Sequence, residues 1–89
     1  MQLNDENDFV LLGLQFAEWR RRFPMFDHDV RNIEKIIDQH IQEHSKIMVM
    51  YRQTKNRSYL ERAQREINTI NTVLATAEKM ELMSLLSRG

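Results

Sequence analysis

The stretch Tyr51-Arg52-Gln53-Thr54-Lys55-Asn56-Arg57-Ser58-Tyr59-Leu60-Glu61 decides the fold, because one long helical pattern stops there and another starts. Asn56 tolerates the left-handed conformation that often ends a helix. Ser58 and Glu61 stand three apart, as in a capping box. The serine hydroxyl would accept from the Glu61 amide, and the Glu61 side chain would reach back to Ser58. The reading predicts a turn within residues 54–58, with Ser58 as the N-cap of the helix that follows.

Toward the N-terminus, Val30, Ile33, Ile37, His40, His44, Ile47 and Tyr51 recur in alternating steps of three and four. That is the spacing of a helix seam. Ile36, Ile41 and Met48 widen it. This helix is expected over about residues 26–54. On the far side of the turn, Leu60, Ala63, Ile67, Ile70, Leu74 and Ala77 repeat the pattern, and the two alanines allow close approach. That helix is expected over about residues 58–87. A short turn between two long amphipathic helices makes an antiparallel hairpin.

A shorter helix is expected over about residues 5–22. Asn4 or Asp5 can cap it, and Phe9, Leu12, Phe16, Trp19 and Phe23 line one face. Arg20, Arg21 and Arg22 suit the negative end of its dipole. Pro24 breaks the chain after Phe23, and Asp27 or Asp29 is the candidate cap of the next helix. The expected fold is therefore all-α. It is a single helical domain, residues 1–89, in which a long antiparallel hairpin carries a short N-terminal helix, and it is expected to assemble as a helical bundle. The short helix covers only the half of the hairpin distant from the turn, which leaves the other half as a two-helix arm.

Composition narrows the function classes. Thirteen basic residues balance thirteen acidic ones, so bulk charge favours neither nucleic acid nor a membrane surface. With no cysteine there is neither a disulfide framework nor a thiolate metal site. The first residues are acidic where a signal peptide would be basic, and no apolar run approaches the roughly 20 residues of a membrane span. The protein is expected to be cytoplasmic, with no membrane association. Trp19 beside three arginines resembles an interfacial helix, but the leading acids and the need to cover the hairpin argue for core packing.

Candidate chemistry is sparse. His40 and His44 lie one turn apart, a metal-chelating spacing, yet a catalytic zinc site wants three protein ligands. They read instead as core residues bonded to the last helix at the level of residues 68–73. They are expected to make the fold sensitive to mild acid, because a charged imidazolium is poorly solvated in an apolar seam. No glycine-rich phosphate loop or nucleophile elbow is present. The expectation is no enzyme, no cofactor and no metal.

The remaining signal is surplus apolar surface. Val10, Leu11 and Leu14 fall outside the main stripe of the first helix. Met48, Met50 and Tyr51 lie on the uncovered arm. Met80, Leu82, Met83 and Leu86 point all round the end of the last helix. A helix apolar on every side is buried against something. These ten residues are the candidate partner-binding set. They point to an assembly factor, adaptor or inhibitor that acts by binding protein and associates with itself, as a homodimer or higher oligomer. The alternative is a small nucleic-acid-binding accessory protein in which Arg52, Lys55, Arg57 and Arg62 meet phosphates.

Overall fold

The computed structural model describes the backbone of residues 2–87 and the side chains of residues 2–79. The chain is all-α among those residues. A 3-10 turn, Glu6–Asp8, leads into α1, Phe9–Arg22. A second 3-10 turn, Pro24–Phe26, leads into α2, Asp27–Thr54, and α3 follows as Ser58–Ser87. The molecule is a rod with extents of 53 × 17 × 16 Å, set by α2 and α3 packing antiparallel along their length.

Local chemistry explains the breaks. The Asp5 carboxylate accepts from the Asn7 amide at 2.9 Å and starts the first turn. At the second break neither Asp27 nor Asp29 is the cap. Phe26 holds that position without a side-chain bond, because Pro24 opens a 3-10 turn in which the Phe26 amide donates to Phe23. Asp27 is already helical and pairs with Arg31 at 2.8 Å.

The hairpin turn lies where expected but is built differently. Lys55, not Asn56, takes the left-handed conformation, at φ 58° and ψ 19°. Its amide donates to the Tyr51 carbonyl and closes α2. That choice frees the Asn56 side chain, which accepts from the Ser58 amide at 3.0 Å. Asn56 therefore caps the start of α3. Ser58 is already helical, and the Glu61 amide donates to the Arg57 carbonyl rather than to a serine hydroxyl.

The core is where three layers meet. Leu12, Phe16 and Trp19 of α1, Phe23 just beyond it, Val30 and Ile37 of α2, and Ile67, Ile70, Leu74 and Ala77 of α3 form one buried cluster. Leu3 joins them from outside the helices. Its amide donates to the Asn71 side-chain oxygen at 2.6 Å, and the Asn71 nitrogen donates to the Leu3 carbonyl at 2.8 Å. One carboxamide thus satisfies both backbone groups of Leu3 and clips the start of the chain to α3. An Arg20–Glu34 ion pair at 2.5 Å fixes α1 against α2.

Candidate functional site

The outer face of α1 is the most exposed apolar surface on the described residues. Val10 is 74% exposed, Leu14 71% and Leu11 44%. The cause is geometric. Positions 12, 16, 19 and 23 turn inward with helical spacing, so positions 10, 14 and 17 must face the opposite way. Trp19 and Phe16 are buried, so the aromatic residues that would suit a membrane interface are committed to the core. Gly13 and Ala17 extend the outer strip and are also exposed. At its far end Arg21 makes a two-pronged bond to Glu18, at 2.8 and 2.9 Å.

The two-helix arm supplies a second surface. Beyond His44, the arm buries only Ile47 and Ala63. Met50 and Val49 are exposed, and Met48 and Tyr51 are half-buried. Leu60, placed on the seam by its spacing, is exposed as well. No third helix reaches that far, so the seam pattern alone does not cover it. The backbone of α3 continues to Ser87, but the candidate side chains of Met80, Leu82, Met83 and Leu86 lie outside the described residues.

The two histidines have different surroundings. His40 is half-buried, and its Nδ1 lies 2.6 Å from Glu66. The partner lies two residues nearer the tip than the expected level of residues 68–73. His44 is buried and lies edge-on to Phe9, with ring centroids 5.3 Å apart and planes at 83°. It borders a hollow shared with Asp5, Glu6, Met48, Leu60 and Gln64. Among the described residues no group of three or more metal-ligating side chains could hold an ion. No helix there is long and apolar enough to cross a membrane.

The basic tip is exposed, but two of its cations rest on their own aromatic neighbours. The Lys55 ammonium sits 5.8 Å from the Tyr51 ring centre, and the Arg62 guanidinium 5.6 Å from that of Tyr59. One face of each tyrosine ring is therefore engaged within the chain. Arg52 and Arg57 are exposed.

Sequence reasoning missed the Leu3–Asn71 clip and the small residues Gly13 and Ala17 in the outer strip. An isolated leucine in a polar run has no period to announce it. Small residues show their position only once the core face is known. No family model, curated protein or solved structure matches the chain, so any functional reading rests on the geometry itself.

Proposed function

We propose that this protein is a non-enzymatic helical interaction module, an assembly factor, adaptor or inhibitor that acts by binding, and that it associates with itself. The observation that carries the reading is the outer face of α1, where Val10 and Leu14 are 74% and 71% exposed. Single exposed apolar residues are ordinary. Contiguous ones on one helix strip are not, and they mark interaction surfaces. The uncovered arm, with Met48, Met50 and Tyr51, adds adaptable apolar area of the kind methionine-rich binding surfaces use. The proposal includes a cytoplasmic setting, which suits a chain without cysteines.

Light scattering after size exclusion tests it. The expected result at tens of micromolar is a species heavier than the 10.8 kDa chain, retained in high salt because apolar contacts respond little to screening. A 10.8 kDa species that is fully helical and melts cooperatively overturns the reading.

A further inference from the structure

Resting on that reading, we infer that two copies of the chain join through an antiparallel seam between their α1 helices, with the two-fold axis passing between Gly13 and Leu14. Val10, Leu14, Ala17 and Arg21 recur at steps of four and three and share one strip, and Gly13, three from Val10 and four from Ala17, lies at its edge. That strip faces away from the buried stripe of α1. The strip alternates bulk with gaps. Val10 and Leu14 project from it, whereas Gly13 has no side chain and Ala17 has a single methyl. A Cβ built on Gly13 meets nothing within 4 Å, so packing inside this chain does not require the glycine.

Turning a second copy end for end brings each bulky residue over a gap in a single register. Leu14 lies over the second copy's Gly13, and Val10 over the second copy's Ala17. In the same register the basic last turn of α1 comes level with the acidic approach to the second copy's α1. A two-fold seam doubles each of these contacts. Charge selects the direction. The approach to α1 carries Asp5, Glu6 and Asp8, and its last turn carries Arg20, Arg21 and Arg22, which keep a net positive charge there although Arg20 pairs with Glu34 and Arg21 with Glu18 inside the chain. A parallel pair sets like charges side by side, and an antiparallel pair sets acids against bases. The helix dipoles favour the same arrangement. A 14-residue helix spans only about 21 Å, short of a standard interface of roughly 800 Å² per partner. The association is therefore reversible and concentration-dependent.

Sedimentation equilibrium on the full chain tests the seam, with helicity and melting checked for each variant. Gly13→Leu adds apolar surface, so general stickiness predicts a tighter dimer. The seam predicts at least a tenfold weaker one. Arg22→Glu, which reverses a charge in the last turn of α1, is expected to weaken the dimer several-fold. Because the chain has no cysteine, orientation can be read by disulfide trapping under a mild thiol oxidant. Copies carrying Val10→Cys are expected to link to copies carrying Ala17→Cys, and much less to each other. This arm hardly changes bulk, so it decides the matter if Gly13→Leu disturbs folding. A Gly13→Leu dimer as tight as the parent, or preferential Val10→Cys self-linking, overturns the seam. A dimer untouched by Leu14→Asp does the same, and in each of these cases self-association survives through another surface. A parent chain that is monomeric throughout overturns both.

Discussion

The two halves of the hairpin share one sequence pattern and differ in burial. In the half that α1 covers, Ile37, Ile70 and Leu74 are fully buried. In the arm, no residue between Ile47 and Ala63 is buried, although Tyr51 and Leu60 keep the seam spacing. Two helices can bury one line of side chains against each other, but a side chain is enclosed only when a third surface closes the groove. The covered half is thus the folding unit, and the arm is an extension held mainly by its own helical hydrogen bonds. Local opening is expected to concentrate there.

The sharpest test of that contrast is a pair of matched truncations. Leu74→Ala in the covered half is expected to cost about 2–5 kcal/mol, as lost burial plus a cavity. In a domain of this size that is much of the total stability. Leu60→Ala on the same helix removes a side chain that already meets water and is expected to cost less than about 1 kcal/mol. Urea denaturation followed by circular dichroism reads both. Equal losses would mean that the arm is as closed as the base.

His40 and His44 repeat the contrast at the border between the halves. His44→Ala is expected to cost about 2 kcal/mol, because it removes a buried ring and its edge-on contact with Phe9. His40→Ala breaks a half-exposed pair with Glu66 and is expected to cost less than about 1 kcal/mol. Thermal melts at constant neutral pH separate the two. A larger loss at position 40 would show that the Glu66 contact, and not burial, holds this level of the bundle.

Asn71→Ala probes the outer limit of the covered half. It is expected to cost about 1–2 kcal/mol, because both backbone groups of Leu3 lose their partner next to the core. Amide hydrogen exchange is the more direct measurement. The Leu3 amide should lose its protection in the variant, while amides of α3 near Leu74 keep theirs. Protection at Leu3 that survives the change would mean that core packing alone seats this residue.

Much of this architecture was legible from residues alone. The three helices end within a few residues of their expected limits because periodicity, Pro24 and the Lys55–Ser58 region are local signals. The excess of Val10, Leu11 and Leu14 was legible for the same reason, since a helix has only one inward face here. Leu60 was misplaced because spacing reports the direction of a side chain and not whether anything covers it. The Asn71 clip and the His40–Glu66 bond join residues distant in the chain, and their lengths depend on how the helices slide past each other. No pattern within one helix encodes that offset.

The smallest effects are expected at the tip, where they decide between two ways of building one turn. In a capping box centred on Ser58, Ser58→Ala would cost about 1 kcal/mol and Asn56→Ala much less. The observed geometry reverses the order. The Asn56 side chain accepts from the Ser58 amide, so Asn56→Ala is expected to cost about 1 kcal/mol. Ser58 lies inside the first turn of α3, where alanine is the better helix former, and Ser58→Ala is expected to change stability by no more than a few tenths of a kcal/mol. The left-handed residue gives the opposite sign. Lys55 has φ 58°, a conformation that costs a residue with a Cβ about 1 kcal/mol. Lys55→Gly is therefore expected to leave stability unchanged or to raise it by up to about 1 kcal/mol, since glycine enters the left-handed region freely but is more disordered when unfolded. Because the arm can open without the base, amide exchange at Tyr59 and Leu60 is a better readout than the global melt. Faster exchange in Ser58→Ala than in Asn56→Ala would restore the serine cap.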